Sequence, residues 1–224
     1  FSLYHALKSI DYGDTEVIVR INGLDTPHWR EDVRVCVAGG ADGIRIAKCE
    51  NAEMVRQVEE AVLAAEREFG VEEGRTLLMA ALESPMGIMN AYEIVTASDR
   101  MLGCAISGGD FRKSMHVQIQ RDGVEMMVAR GQMLLAARAA GVQCCDTMFP
   151  TIDDMDGFKA EVIQNHKMGF DGKSIVNPKQ IAFVHETFAP TEKEIAYAEK
   201  LVRGCQAQAD AGIGVYTVDG KMVD

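Results

Sequence analysis

The feature that most constrains this chain is a regular alternation of short apolar runs with amphipathic helical stretches along nearly all of its 224 residues. Strand followed by helix, repeated, predicts a parallel sheet with helical crossovers. Strands are read near 15–22, 41–48, 76–84, 101–107, 143–149 and 174–176. The chain enters in a helical pattern at Phe1–His5, and further helices are predicted over 32–40, 51–70, 85–98, 124–140 and 154–168. Met54, Val58, Val62 and Ala65 form an apolar stripe at helical spacing, and Gly70 stops that helix. Pro85 suits a first helical turn. Thr191 with Glu194 three residues on has capping-box spacing and opens a last helix reaching about 212. Residues 215–224 read as a short extended pair around Asp219-Gly220.

This pattern fits either a doubly wound sheet or a barrel. The unusual polar residues favour the barrel. Arg20, Asn22, Lys48, Glu83, Ser84, Asp110, Asp146 and Asn177 all fall at or just past the C-terminal ends of strands. In a (β/α)₈ barrel those ends converge on one rim, where catalytic groups collect. The expectation is a (β/α)₈ TIM barrel two strands short of eight, over residues 1–212, with 213–224 starting a C-terminal extension or lid.

Composition narrows the partners. A net charge of −11 with no basic run argues against nucleic acid and anionic membrane surfaces. No stretch of 18 apolar residues is present to span a membrane. An anionic substrate must therefore be caught by local Arg or Lys groups. The cysteines at 36, 49, 104, 144, 145 and 205 show no CxxC pair and read as reduced thiols of a cytoplasmic protein. Cys144 and Cys145 read as core residues of a strand. The five histidines lack metal-ligand spacing, and no P-loop, dinucleotide fingerprint or Ser/His/Asp grouping is found.

Glu83 ends the apolar strand Leu78–Leu82, so its carboxylate either faces a site or caps the helix that begins at Pro85. Asp110 follows Ser107-Gly108-Gly109, glycines that let backbone approach a ligand, though a plain turn aspartate reads the same way. Two carboxylates from adjacent strand ends, with water completing the shell, suit Mg²⁺ or Mn²⁺. Such an ion can hold a 2-keto acid and act as a Lewis acid. Arg20 lies in a β-branched strand and either pairs within the fold or meets a substrate carboxylate with its planar fork. Lys48 is either a second cation for the site or a solvated lysine, and the lysine of Asp171-Gly-Lys-Ser174 sits in a turn able to meet a phosphate.

Several stretches, in order and at matching spacing, resemble the HpcH/HpaI aldolase–citrate lyase family, its citrate lyase branch in particular. They are Ile18-Val-Arg-Ile-Asn-Gly-Leu-Asp25, Gly39-Gly-Ala-Asp-Gly-Ile-Arg-Ile-Ala-Lys48, Ala81-Leu-Glu-Ser-Pro-Met-Gly-Ile88, Ala136–Gly141, Asp146-Thr147, Gly169–Pro178 and Val218–Asp224. The resemblance implies a phosphoenolpyruvate-binding type of barrel and cleavage of a citryl thioester, on acyl carrier protein or CoA, to oxaloacetate and the acetyl thioester. It implies Glu83 and Asp110 as Mg²⁺ ligands and Arg20 as the group binding the oxaloacetate carboxylate, with Lys48 a further substrate contact. Asp224 matches the C-terminal M-x-D carboxylate that, in related malyl-CoA lyases, protonates the enolate from a neighbouring subunit. Expected partners are transferase (α) and acyl carrier (γ) subunits and further copies of the chain. A malyl-CoA-type lyase or thioesterase, or a non-catalytic scaffold on the same fold, are the alternatives. Two departures stand out. Gly109 replaces an acidic residue usual before the loop aspartate. The family's first two strands, with their D-x-E-D segment, and its C-terminal helix have no counterpart here, so a longer natural chain is expected.

Overall fold

The structure is a computed structural model that describes residues 2–210, 216–218 and 221–223. Two compact units divide the chain, Phe1–Val184 and His185–Asp224. Among the described residues of the first, six strands form one parallel sheet: β1 (Ile18–Arg20), β2 (Gly43–Ile46), β3 (Leu77–Leu82), β4 (Met101–Ile106), β5 (Gln143–Asp146) and β6 (Gly172–Lys173). Their order in the sheet is their order in the chain, and every pairing is parallel.

That order decides between the two architectures. A doubly wound sheet reverses direction partway through and puts helices on both faces. With right-handed crossovers, an unchanged direction keeps all helices on one face, and the sheet curls with its other face inward. The result is an α/β fold with a curled parallel sheet, a half-barrel.

The helices are α1 (Ser2–Ser9), α2 (Trp29–Gly39), α3 (Ala52–Phe69), α4 (Pro85–Met89), α5 (Ala91–Val95), α6 (Gly108–Ser114), α7 (Met127–Ala140), α8 (Met155–Met168), α9 (Ile181–Phe188) and α10 (Glu192–Asp210). α3 forms as its sequence dictates. The Asn51 side chain accepts the Met54 N–H at 3.0 Å, and Gly70 ends the helix in the left-handed conformation at φ +65°. Its stripe buries Val55, Val58, Val62 and Ala65 against a core that includes Ile44, Ile46, Leu78 and Leu82. Each such fully buried aliphatic side chain contributes about 1.5–3 kcal/mol. Glu66, on the same stripe, is also buried. It accepts from both terminal nitrogens of Arg100 at 2.7 and 2.8 Å and from the Thr76 and Gly74 N–H groups. One carboxylate thereby ties α3 to the entrances of β3 and β4.

Several local expectations differ from the structure, the strands read over 15–22 and 143–149 being shorter, at Ile18–Arg20 and Gln143–Asp146. The helix predicted over 85–98 is two short helices, broken at Asn90, whose amide donates to the Glu50 carbonyl at 2.8 Å. The helix predicted from 124 begins as a 3-10 turn, Val124–Met126. The last strand lies at Gly172–Lys173 rather than 174–176, because the Val176 and Asn177 N–H groups donate to the Gln180 side chain instead of a neighbouring strand.

In the second unit the Thr191 hydroxyl accepts the Glu194 N–H and the Glu194 carboxylate accepts the Thr191 N–H, the expected capping box ahead of α10. β7 (Tyr216–Val218) pairs antiparallel with β8 (Lys221–Val223), as the extended pair predicted around 219–220 requires.

Candidate active site

The C-terminal ends of the strands open onto one cavity of about 370 Å³. β1 contributes Arg20, β2 Arg45, β3 Glu83 and β4 the segment from Ile106 to Asp110, while Thr147 and Ser174–Val176 follow β5 and β6. Three predicted residues, Arg20, Glu83 and Asp110, therefore share one lining although 90 positions separate the first from the last.

Glu83 is only 5% exposed, and its Oε1 has no hydrogen-bond partner among the described residues. Burial pushes its carboxyl above the usual range. The Lys48 backbone N–H facing it pulls the other way, Asp110 raises it further as a hydrogen-bonding neighbour and a like charge, and Arg20 lowers it. The Ser84 side chain, not Glu83, caps α4, accepting the Gly87 N–H at 3.2 Å. The helix-cap alternative for Glu83 thus has no support in the geometry. A buried carboxylate oxygen left unpaired and pressed towards a second carboxylate is costly unless a cation joins them.

Asp110 is exposed on the first turn of α6. The start of α6 is fixed by the Gly108 N–H, which donates to Thr147 Oγ1 at 2.9 Å. A Cβ at Gly108 would meet Thr147 at 3.0–3.1 Å and Arg112 at 2.7 Å, so this approach needs glycine. A Cβ at Gly109 meets nothing within 4 Å.

Lys48 sits at φ +48°, a left-handed conformation costly for a side-chain-bearing residue. The turn aims its backbone N–H at Glu83, while its side chain is exposed and lines a neighbouring groove with Asp25 and Glu50. The Lys48 ammonium is therefore not brought into the cavity with Arg20, Glu83 and Asp110. Asp224 lies outside the described residues.

Two readings, Asp146 at a strand end and Lys173 in a turn, are corrected by the structure. Asp146 is fully buried, accepting from Arg130 at 2.9 and 2.9 Å and from Lys173 at 2.8 Å, and it belongs to an internal ion-pair network rather than the rim. Burial alone would raise its carboxyl, but Lys173 and Arg130 hold it below the ordinary range. Lys173, read as a lysine able to meet a phosphate, is buried with Asp146, Glu161 and the Thr147 carbonyl around its ammonium. The same Thr147 holds Gly108, so the network supports the segment that carries Asp110.

Arg45 is a charged cavity residue that the reading of strand ends misses. Its signal was present: one charged residue alternating with Ile44 and Ile46 in a strand points to the face away from the helices. Cys144 lies in the core as read, while Cys145 is half-buried and Cys205 exposed. Cys36, Cys49, Cys104 and Cys144 are buried, and burial pushes the Cys145 thiol up to about 11, away from nucleophilic use.

Among the described residues no group of three or more His, Cys, Asp or Glu side chains is placed to hold a metal. Glu83 and Asp110 offer two hard oxygen donors. That set suits an ion that keeps water and takes substrate oxygens, and it does not suit zinc.

Known proteins place this arrangement in a family. The model of the family described as HpcH/HpaI aldolase/citrate lyase matches residues 1–178. The citrate lyase subunit beta of Leuconostoc mesenteroides subsp. cremoris is 45% identical over all of this chain and 74% of its own length. A (3S)-malyl-CoA thioesterase of Cereibacter sphaeroides is 33% identical over 99% of this chain and 74% of its own. A Mycobacterium tuberculosis protein solved with magnesium, acetoacetate and coenzyme A superposes with a TM-score of 0.72 at 24% identity, covering 99% of this chain and 77% of its own. With its six parallel strands in chain order and its carboxylate pair at their C-terminal rim, this chain belongs to the HpcH/HpaI aldolase/citrate lyase family.

Proposed function

We propose that the chain is the lyase subunit of a citrate lyase, cleaving a citryl thioester to oxaloacetate and an acetyl thioester. The observation that carries this reading is the meeting of Arg20, Glu83 and Asp110 in one cavity, in a chain 45% identical to a citrate lyase subunit beta. Glu83 and Asp110 are the residues to hold Mg²⁺, with Mn²⁺ a chemical equivalent for the same oxygens. The unpaired Glu83 Oε1 beside Asp110 is the fit that supports them, and the magnesium in the M. tuberculosis relative is consistent with it. A bound ion would supply Lewis-acid stabilisation of charge on the keto-acid oxygens.

The remaining chemistry falls to the chain's own groups. Arg20, whose side chain has no ion pair among the described residues, takes the carboxylate next to the carbinol carbon through its two-pronged fork. The tertiary hydroxyl loses its proton to a base, the carbon–carbon bond breaks, and the electron pair becomes the thioester enolate. An acid then returns a proton to the enolate carbon. Asp224, from a neighbouring copy of the chain, is proposed for that step. Lys48, exposed in the adjoining groove, is proposed as a substrate contact on the side of the thioester's carrier arm, a reading its separation from the cavity supports. The carrier is an acyl carrier protein or CoA, and transferase and acyl carrier subunits are the proposed partners in a cytoplasmic assembly. A complete (β/α)₈ barrel of the phosphoenolpyruvate-binding type is the proposed full architecture.

The 33% identity to a malyl-CoA thioesterase supports a second reading, action on malyl-CoA. Turnover of citryl-CoA against malyl-CoA with Mg²⁺ separates them. Faster cleavage of citryl-CoA is expected, and faster turnover of malyl-CoA rejects the first reading.

A further inference from the structure

Arg45 is an incompletely satisfied cation in the cavity. It stands in the middle of β2, directly paired in register with Arg20 on β1. Neighbouring strands lie about 4.8 Å apart, so the two guanidinium groups leave adjacent positions of one sheet face. Arg45 is half-buried, and among the described residues its Nε is buried without a partner and its one hydrogen bond runs from Nη2 to Ser107 Oγ at 3.2 Å. Among the described residues no carboxylate comes within ion-pair distance of it, although nearly every other buried or half-buried arginine here has one: Arg100 has Glu66, Arg112 has Glu125 and Arg130 has Asp146. Arg20 and Glu83 are close enough to act on its charge, in opposite directions. Arg20 is exposed and Arg45 half-buried, and an anion shared between the two like charges, or one for each, relieves their repulsion.

We propose that Arg45 is a specificity-determining residue that binds a second carboxylate of the substrate, so that Arg20 and Arg45 together select a dicarboxylic keto-acid half over a monocarboxylic one. The proposal rests on the lyase reading above and deepens it. A citryl thioester carries two free carboxylates, one on the carbinol carbon and one on the methylene arm. Arg20 takes the first, and the methylene carboxylate reaches the Arg45 fork, with Ser107 holding the guanidinium in place. A malyl thioester lacks that arm. A site built to pair a charge rejects an analogue without it because its own cation is then left buried and unpaired. Arg45 thus gives a physical reason for preferring the citryl over the malyl substrate.

The test uses the full chain loaded with Mg²⁺ and compares binding of oxaloacetate with pyruvate, which is oxaloacetate without the distal carboxylate, by calorimetry. One charge-assisted pairing makes the wild-type preference for oxaloacetate about 10- to 100-fold. R45M should bring the ratio of the two affinities close to one. R45K keeps charge and near volume and guards against a folding failure, and it should lose at least severalfold of the preference because an ammonium cannot reproduce the fork. A wild-type ratio near one, or a ratio that R45K and a folded R45M leave at the wild-type value, overturns the proposal. Citryl-CoA turnover by the wild type is measured alongside. Turnover with an unchanged ratio refutes the subsite alone, whereas the predicted ratios without turnover uphold a dicarboxylate site and refute the lyase reading.

Discussion

Replacing Glu83 by glutamine should reverse the order of stability with and without magnesium. In the free protein the Glu83 carboxylate is 5% exposed, with one oxygen unpartnered among the described residues, and burial and Asp110 raise it against the Lys48 N–H and Arg20. An unsatisfied buried polar group costs about 1–3 kcal/mol, more when charged. Glutamine has nearly the same shape, keeps an oxygen for the Lys48 N–H, and presents an amide that can donate to Asp110. E83Q without metal should therefore be more stable than wild type by on the order of 1 kcal/mol, which for 150–250 residues raises Tm by roughly 2–4 °C. With Mg²⁺ at about 100 times Kd the wild type gains about 2.7 kcal/mol, a rise of roughly 5–10 °C that E83Q should lack. The order then inverts. Thermal unfolding followed by fluorescence reads this directly, because the single tryptophan, Trp29, is buried on α2 within the unit that holds the site. An E83Q protein less stable than wild type without metal, or one stabilised by Mg²⁺ as much as wild type, refutes the reasoning.

Other predictions follow from the same structure. Burial pushes the Glu66 carboxyl up, but Arg100 and two backbone N–H groups outweigh it and hold the group below the ordinary carboxylate range. Its contribution is thus complete above the unfolded value of about 4.3 and is lost as pH falls through the folded value. E66Q should cost about 3–5 kcal/mol at neutral pH and flatten the acid limb of the urea midpoint against pH. K173M leaves Asp146 and Glu161 buried with Arg130 as their remaining cation, and should cost about 3–5 kcal/mol in urea unfolding. G109E adds a side chain where a Cβ meets nothing, so the fold should be unchanged. The added charge should tighten Mg²⁺ binding by on the order of 1 kcal/mol, about fivefold, and weaker binding by calorimetry would contradict it.

Much of the fold was legible because local and global signals agree. Met101–Ile106 reads as a strand and is one, and Asn51 and Gly70 bound α3 where capping chemistry puts them. Strand order was not legible, since the alternation alone fits a doubly wound sheet as well. Boundaries failed where a side chain satisfies backbone groups at a distance, as Gln180 does at Val176 and the Asn90 amide does at Glu50. In the site, Glu83 and Asp110 were readable from their places after apolar strands. Arg45 was not, because attention to strand ends passes over a charge in mid-strand. Asp146 and Lys173 were misread for the opposite reason. A polar residue at a strand end meets the cavity or an internal partner according to contacts many residues away, here with Arg130 and Glu161.

The proposed chemistry depends on Glu83 and Asp110 gripping one hard cation. Crystals grown with Mn²⁺ and oxaloacetate, with anomalous diffraction collected at the manganese edge, test it most directly. One strong peak about 2.0–2.3 Å from a carboxylate oxygen of each residue is predicted. A peak at any other group, or manganese bound by one of the two carboxylates while the other points away, contradicts the account.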